Sequence, residues 1–175
     1  MTMRKGLDTV LRWDAAALTA VSRFERRGIL HVMRGLTRAG DTPGWIVHAL
    51  VLLALLQIPV VTIETMAVAA LLATLTSQLA KRIFRRSRPG SMIPGFAPRE
   101  PVPDPFSFPS GHSAVAFAVA TAAVSGSMVL GGLETALAAA IASSRIWLGA
   151  HYPVDVLGGI ALGFACGLVT IALFG

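Results

Sequence analysis

Three short clusters of polar residues in the second half of the chain contain the side-chain types that bind or attack phosphate. They are Lys81 with Arg88-Pro89, Pro109-Ser110-Gly111-His112, and Ser144-Arg145 with His151 and Asp155. Lysine and arginine neutralise phosphate oxygens, N–H groups at a helix start bind anions, and histidine can act as a nucleophile. Each cluster lies at the edge of a long apolar segment, so a shared site would lie beside apolar structure.

The first cluster supplies cations. Lys81, Arg85 and Arg88 are spaced by four and three residues, which would place them along one stripe of a helix. The proline after Arg88 disfavours helical geometry there, so we expect the helix to end at that arginine. A guanidinium binds two phosphate oxygens at once and an ammonium acts as a point charge, so Lys81 and Arg88 suit a phosphoryl group. Taken alone, the stretch is more typical of a basic patch for anionic lipid headgroups, and we assign Arg82 and Arg86 to that role.

The second cluster predicts the start of a helix. Ser110 is a good N-cap residue, and Gly111 allows the backbone to come close to a ligand. The free N–H groups of the first turn, together with the helix dipole, form a site for an anion. His112 then lies where it can donate a proton to a leaving oxygen. The alternative is an ordinary capped helix with a histidine at its polar end.

The third cluster predicts a histidine oriented by an acid. Pro153 indicates a helix that begins just after His151, which puts Asp155 in its first turn. The carboxylate can reach back to one ring nitrogen and leave the other free to attack. Arg145 can reach the same phosphate from the end of the preceding helix. The alternative is a structural hydrogen bond between His151 and Asp155.

The composition is that of an integral membrane protein with one domain over residues 1–175. Hydrophobic residues are 54% and charged residues 14% of the chain, against roughly 45–50% and 25% in soluble domains. The mean hydropathy is +0.69. The net charge of +6 fits nucleic acid, anionic lipid or a phosphorylated substrate. Aromatic residues are 7% and the apolar runs are long, so we expect no nucleic-acid partner.

We expect neither a metal nor another cofactor. Residues 89–109 contain seven prolines, which predicts a structureless connection on the solvent side. Asp104 and Glu100 are isolated in that connection, so no carboxylate cluster is available for a metal. Cys166 is the single cysteine, which excludes an intramolecular disulfide, and it fits a small packing residue.

Apolar segments predict an all-α, integral membrane helical bundle of about five transmembrane helices, six being possible. The five segments cover residues 45–60, 62–80, 113–130, 133–148 and 154–174. Two of them are shorter than the roughly 20 residues of a full span. We expect Gly131-Gly132 to separate the third helix from the fourth. Glycines at 159, 163 and 167 share one face of the last helix, which favours close packing within the monomer.

The N-terminal segment, residues 1–43, is mixed in character. We expect no secretory signal in it, because Asp8, Arg12 and Asp14 interrupt any apolar core. Apolar residues recur at helical spacing over residues 7–38, which predicts one or two amphipathic helices on the membrane surface. The alternative is a helix that packs on the transmembrane bundle.

Five spans in order place all three clusters on the same face of the membrane. That face also holds all 15 lysine and arginine residues, and the opposite loops hold none. By the positive-inside rule, the face is expected to be cytoplasmic. We therefore expect a multi-pass protein of the cell (inner) membrane, with membrane lipids as neighbours. The sequence leaves its oligomeric state open.

Together, the clusters resemble the type 2 phosphatidic acid phosphatase family, also called lipid phosphate phosphatases. The family has three signatures: Lys, six residues, Arg-Pro; Pro-Ser-Gly-His; and Ser-Arg, five residues, His, three residues, Asp. All three are complete here within residues 81–155. Many bacterial members have six spans, whereas this chain shows five and surface helices.

The resemblance implies an all-helical membrane enzyme that works without a metal in two steps. His151 would attack phosphorus and form a phosphohistidine, with Asp155 orienting its ring. His112 would protonate the departing lipid oxygen and then activate water. The phosphoryl oxygens would be held by Lys81, Arg88, Ser110, Gly111 and Arg145. Phosphoryl transfer needs mainly positioning and charge stabilisation, which these cationic groups supply.

The predicted function is hydrolysis of a lipid phosphate. Candidate substrates are undecaprenyl diphosphate, phosphatidylglycerol phosphate and phosphatidic acid, as a monoester or a diphosphate. A lipid phosphotransferase and a non-catalytic lipid-phosphate binder are the alternatives. Binding alone needs only the basic residues, so the histidines favour an enzyme. A vanadate-dependent haloperoxidase shares this type of anion pocket but does not fit the apolar spans.

Overall fold

Helices make up most of the described chain, which comprises residues 2–23, 27–102 and 104–174 of a computed structural model. These residues form eight helices and no β-strand beyond an isolated bridge between Ser87 and Phe106. The helices are α1 (Thr2–Ser22), α2 (Arg27–Ala39), α3 (Thr42–Ala54), α4 (Val60–Phe84), α5 (Pro89–Met92), α6 (Gly111–Ala123), α7 (Met128–Trp147) and α8 (Pro153–Phe174).

Three of these helices, α4, α7 and α8, are long and apolar enough to cross a membrane. Two more, α3 and α6, are apolar but have 13 residues each. Each of the five overlaps one of the predicted apolar segments for most of its length, and the all-α membrane bundle is confirmed. The number of spans stays a prediction, because a full span needs about 20 residues.

The centre of the bundle is α6, which packs against α4, α7 and α8. Close packing with α8 depends on the glycines at 159, 163 and 167, as predicted. At Gly167 an added Cβ would lie 2.5 Å from Cβ of Thr121 on α6. At Gly159 it would lie 2.5 Å from the carbonyl oxygen of Ser110. The stripe of glycines therefore serves packing within the chain.

Two helix boundaries differ from the prediction. The turn between α6 and α7 lies at residues 124–127, whereas Gly131-Gly132 lies inside α7. Ser127 caps α7 by accepting a hydrogen bond from the N–H of Leu130 at 3.0 Å, which sets the helix start. Similarly, α3 ends at Ala54, before the apolar run does, and Gln57 has a φ of 51°. Apolar patterning marks buried or lipid-facing residues, and it does not show where a helix stops.

The amphipathic N-terminal helices α1 and α2 pack on the bundle, at the end where α7 stops and α8 begins. From α1, Leu18 and Asp14 are buried, whereas Trp13 on its other side is exposed. From α2, Thr37 is buried against Ser144 of α7, with 2.9 Å between the hydroxyl oxygens. Packing on the bundle, the alternative to a free surface helix, therefore holds for both.

The described part of residues 89–109 contains helix α5 and is held by hydrogen bonds, so the prediction of a structureless connection is wrong. The N–H of Arg99 donates to the carbonyl of Leu148 at 2.8 Å, and its guanidinium lies 4.2 Å from the Trp147 ring centroid. The N–H of Ser107 donates to the carbonyl of Arg86 at 2.8 Å. Prolines exclude a long helix, but they also lower the entropy that a fixed loop loses on folding. The loop thus covers the end of α7.

A polar pair between two apolar helices fixes α3. His48 of α3 and Glu134 of α7 form a hydrogen bond of 2.8 Å between Nε2 and Oε1, and Glu134 is buried. The rings of Trp45 and His48 are nearly perpendicular, with 5.6 Å between their centroids. Because polar groups are costly in apolar surroundings unless paired, this bond holds α3 against α7.

Candidate active site

A cavity of about 430 Å³ lies at the end of the bundle covered by α2 and by the loop of residues 89–109. Six of the eight predicted site residues line it: Lys81, Arg88, Gly111, His112, Arg145 and His151. The other two, Ser110 and Asp155, are fully buried. The three sequence clusters therefore meet around a single cavity.

Lys81 and Arg88 reach the cavity from different elements, so the predicted common helical stripe is wrong. Helix α4 ends at Phe84, because Arg85 takes a left-handed conformation with φ of 48°. Lys81 lies in the last turn of α4, whereas Arg88 extends from the following loop. Arg82 remains exposed.

Asp104 is the counter-ion of both cations, although it was predicted to be isolated. Its Oδ2 accepts a hydrogen bond from Nζ of Lys81 and lies 3.5 Å from Nη2 of Arg88. Its Oδ1 accepts from the N–H of Phe106 at 2.9 Å. Burial acts to raise the pKa of the Asp104 carboxyl, but these hydrogen bonds and cations hold that pKa below its usual value. Asp104 therefore stays ionised and offsets part of the positive charge in the cavity.

His151 has the geometry of a neutral nucleophile. The ring is 2% exposed, and its Nδ1 lies 2.7 Å from the carbonyl oxygen of Ser107. A carbonyl only accepts, so Nδ1 carries the proton and Nε2 is unprotonated, with a lone pair that can accept a hydrogen bond or attack. Nε2 lies 3.3 Å from Nη1 of Arg88, at the cavity wall. Burial lowers the pKa of His151 to about 3, which keeps the ring uncharged.

Asp155 does not form the expected hydrogen bond to His151. Its Oδ2 is 3.7 Å from Nδ1, beyond hydrogen-bond distance, and accepts instead from the N–H of Tyr152 at 2.9 Å. The carboxylate thereby closes the turn at the start of α8. Ser107 takes over the role of the acceptor that sets the tautomer, which motif spacing does not reveal.

Arg86, which we assigned to lipid headgroups, instead binds two buried carboxylates beside the site. Nη1 donates to Oδ1 of Asp155 and Nη2 donates to Oδ2 of Asp14, each at 2.6 Å. The guanidinium lies 4.2 Å from the Tyr152 ring centroid. Oδ1 of Asp14 accepts from the N–H of Val154 at 3.0 Å. The position of Asp14 on an apolar helix face indicates that its carboxylate is buried and paired. The sequence does not show with which residues, because the partners of Asp14 are remote along the chain.

The second cluster forms the predicted cap. The Ser110 hydroxyl accepts from the N–H of Ser113 at 3.4 Å and from its hydroxyl at 3.0 Å. Nε2 of His112 lies 2.8 Å from Oδ1 of Asp41, a residue to which the sequence assigned no role. The first turn of α6 thus presents Gly111 and His112 to the cavity.

The guanidinium of Arg145 has one nitrogen, Nη1, that is hydrogen-bonded and another, Nε, that has no partner among the described residues. Nη1 donates to the hydroxyl of Thr37 at 2.8 Å. Nε is buried and makes no hydrogen bond within residues 2–23, 27–102 and 104–174. An unsatisfied buried N–H is costly, so this atom favours an anion in the cavity.

The described residues contain no group of three or more histidine, cysteine, aspartate and glutamate side chains able to hold a metal ion. The expectation of a reaction without metal stays a prediction.

Comparison with known proteins identifies the family. Residues 63–175 match the PAP2 superfamily. Decaprenylphosphoryl-5-phosphoribose phosphatase of Mycobacterium tuberculosis is 33% identical over 174 residues, which cover 94% of this chain and 92% of that protein. Undecaprenyl-diphosphatase of Sulfolobus acidocaldarius is 29% identical over 106 residues, 57% of this chain and 48% of that protein.

Two solved structures share the fold. The PAP2 type phosphatidylglycerolphosphate phosphatase of Bacillus subtilis has a TM-score of 0.75 at 22% identity, over 94% of this chain and 86% of that one. LpxE of Aquifex aeolicus has a TM-score of 0.77 at 21% identity, over 90% and 93%. The predicted resemblance is confirmed, and the chain belongs to the PAP2 superfamily of membrane phosphatases.

Proposed function

We propose that this PAP2 phosphatase removes the terminal phosphate of a lipid-linked substrate through a phosphohistidine on His151. The observation that carries the proposal is the buried His151 ring. Its Nδ1–H donates to Ser107, and its Nε2 lies at the cavity wall beside Arg88. A lone pair so held is ready to attack phosphorus in line.

In the first step, Nε2 of His151 bonds to phosphorus as the bond from phosphorus to the leaving oxygen breaks. His112 gives that oxygen a proton. In the second step, water attacks the phosphohistidine and gives a proton to His112, the N–P bond breaks, and inorganic phosphate leaves. Lys81, Arg88 and Arg145 stabilise the charge on the equatorial oxygens in both steps.

Arg145 supports this assignment independently of the motifs. Its buried Nε makes no hydrogen bond within the described chain, and Arg145 lines the same cavity as His151. A phosphate oxygen at Nε would supply the absent acceptor. Because Thr37 holds Nη1, the guanidinium is oriented before the substrate binds.

The rest of the cavity wall favours a leaving group with hydroxyls over a second phosphate. The three cations lie with the histidines, and the remaining polar lining includes Thr42, Thr74, Gln78 and Glu100. Hydroxyl, amide and carboxylate groups hydrogen-bond sugar hydroxyls, whereas a second phosphate would be matched better by further cations. The similarity to decaprenylphosphoryl-5-phosphoribose phosphatase over most of both chains points the same way. We therefore place a prenylphosphoryl sugar phosphate first among the substrates.

A prenyl diphosphate is the second candidate, because undecaprenyl-diphosphatase is a relative over about half of each chain. For either lipid, an apolar pocket of about 240 Å³ suits the chain. It is lined by Trp45, Ile63, Met66 and Val119, and it shares Thr42 with the site cavity. A lipid chain in this pocket would leave its phosphate near the histidines.

The proposed location is the cell membrane, with the site facing the cytoplasm, because the basic residues lie on that side. Cysteine labelling of R38C and S125C in a C166S background tests the orientation, since both positions are exposed and Ser125 lies in the turn between α6 and α7. In intact cells, a membrane-impermeant maleimide should label S125C, and R38C should react only after the cells are broken. The reverse pattern would place the site outside.

The enzyme test is phosphate release from purified protein in detergent with EDTA. The substrates are a prenylphosphoryl ribose phosphate, undecaprenyl diphosphate, phosphatidylglycerol phosphate and phosphatidic acid, with His151→Ala as the control. Release that persists with EDTA and disappears in the variant supports the mechanism. Label that passes between lipids without free phosphate indicates a phosphotransferase, and tight binding without turnover indicates a binder.

A further inference from the structure

We propose that Asp41 is the positioning residue for His112, so that a carboxylate–imidazole pair transfers the proton to the leaving group. This inference rests on the phosphatase mechanism proposed above. Asp41 lies outside residues 63–175, the part of the chain that matches the family, and outside all three motifs.

The turn between α2 and α3 is built around the His112 ring. Oδ1 of Asp41 lies 2.8 Å from Nε2 of His112. The preceding residue, Gly40, is buried, and an added Cβ there would lie 2.9 Å from Cδ2 of the same ring. Glycine therefore allows the backbone to approach the imidazole, and the next residue binds it.

The turn itself is fixed on both sides. The N–H of Gly40 donates to the carbonyl of Thr37 at 3.0 Å, and Nε1 of Trp45 donates to the carbonyl of Gly40 at 3.1 Å. Thr37 also holds Arg145, and α3 is held by the bond between His48 and Glu134. Thr37 thus contacts both the turn that carries Asp41, through its carbonyl, and Arg145, through its hydroxyl.

The two histidines of the cavity have different acceptors behind them. His151 donates to a neutral carbonyl and has the Asp155 carboxylate at 3.7 Å, whereas His112 has the Asp41 carboxylate at hydrogen-bond distance, 2.8 Å. A carboxylate stabilises an imidazolium far more than a carbonyl does. When their environments push the pKa values of two titratable groups apart, the groups can take different roles, here those of nucleophile and acid.

Other charges also act on His112. Burial of the ring disfavours its protonated form most, and the cations Arg145 and Lys81 of the same cavity disfavour it further, whereas Asp41 favours it. A bound phosphate dianion would offset the two cations and so shift the balance toward the protonated form that Asp41 favours. The acid is therefore formed most readily when the substrate is present.

The pair leaves one ring nitrogen for the reaction. Within the described part of the chain, Nδ1 of His112 makes no hydrogen bond, while Nε2–H is bound to Asp41. The imidazolium passes its Nδ1 proton to the leaving oxygen as the P–O bond breaks, and it becomes neutral. In the second step Nδ1 takes a proton from the attacking water, which restores the imidazolium.

Asp41→Asn tests the charge, because asparagine can still accept from Nε2–H through its oxygen. The assay compares an alkyl phosphate, whose alkoxide needs a proton to leave, with p-nitrophenyl phosphate, whose aryl oxide does not. We expect kcat/KM for the alkyl substrate to fall by about 10–100-fold, up to the lower end of what general acid catalysis contributes, because the acid itself stays in place. For the aryl substrate, the same constant should change by less than about threefold.

Glu64→Gln is the matched control, because it removes one negative charge from an exposed site on α4. It should leave both constants unchanged. Adding Asp41→Asn to His112→Ala should produce less than about a twofold further loss, since coupled residues are not additive. Orthovanadate inhibition shows whether each variant retains a folded anion site, and Asp41→Glu should recover part of the loss.

Equal losses for the two substrates in Asp41→Asn, or additive losses in the double variant, would overturn the positioning role and leave the phosphatase mechanism intact. No hydrolysis of either substrate by the unmodified protein would instead refute the mechanism itself. The two failures are therefore distinguishable.

Discussion

Arg86 and Asp155 form an ion pair with 2.6 Å between Nη1 and Oδ1, and neither side chain is in the cavity lining. The same guanidinium binds Asp14 of α1, whose side chain is 1% exposed. The N-terminal helix is thereby connected to the turn that carries His151. A helix without any family motif thus supports the proposed nucleophile.

Replacing Arg86 by alanine should destabilise the protein strongly. It leaves the carboxylates of Asp14 and Asp155 buried without their cation, which costs about 3–5 kcal/mol for a broken buried pair. We expect a lower thermal midpoint in detergent and a loss of kcat. Arg82→Ala is the matched control, because it removes an exposed arginine from the same helix end. If both variants melt alike, the network contributes nothing specific.

The stability of the protein should fall as the pH decreases below about 6.5. Burial lowers the pKa of His151 to about 3 in the folded state, whereas the unfolded chain has an ordinary value of 6.5. Between these values the unfolded state binds the extra proton, so unfolding becomes easier by up to about 1.4 kcal/mol per pH unit. Above this window the contribution is complete.

Thermal midpoints measured from about pH 7.5 to about pH 5 check this dependence. His151→Asn keeps a donor near the Ser107 carbonyl but removes the titrating ring, so its midpoint should depend less on pH. An identical slope in the two proteins would assign the pH dependence to other groups.

Asp104→Asn should strengthen the binding of phosphate analogues. The variant removes the charge that pairs with Lys81 and Arg88, and its amide oxygen can still accept from the N–H of Phe106. We expect the inhibition constant of orthovanadate to fall several-fold. Glu64→Gln, remote from the cavity, controls for net charge. Weaker inhibition would mean that the Asp104 charge is needed to position the cations.

Gly167→Ala should destabilise the bundle without touching the site. The new Cβ would lie 2.5 Å from Cβ of Thr121 on α6, and overpacking of this kind costs about 1–3 kcal/mol. Gly132→Ala is the matched control, because no atom lies within 4 Å of its added Cβ and alanine favours a helix. The thermal midpoint should fall for Gly167→Ala and hold or rise for Gly132→Ala.

Several features followed from local sequence alone. Apolar runs identified the five helices of the bundle, because lipid-facing and buried residues must both be apolar. The three motifs identified the family, and their alternation with apolar runs predicted one shared end for Lys81, His112 and His151. The glycines of α8 predicted tight packing, because a missing side chain allows close approach whatever the partner.

The tertiary structure decided which groups support the site. The acceptor for His151 is Ser107, the partner of Asp155 is Arg86, and the partner of His112 is Asp41. A carboxylate four residues after a histidine can reach the ring. The carboxylate of Asp155 is equally satisfied by the hydrogen bond that it accepts from the N–H of Tyr152. Hydrogen bonds between remote residues depend on how helices and loops pack. Sequence spacing constrains neighbours along one helix and leaves such contacts undetermined.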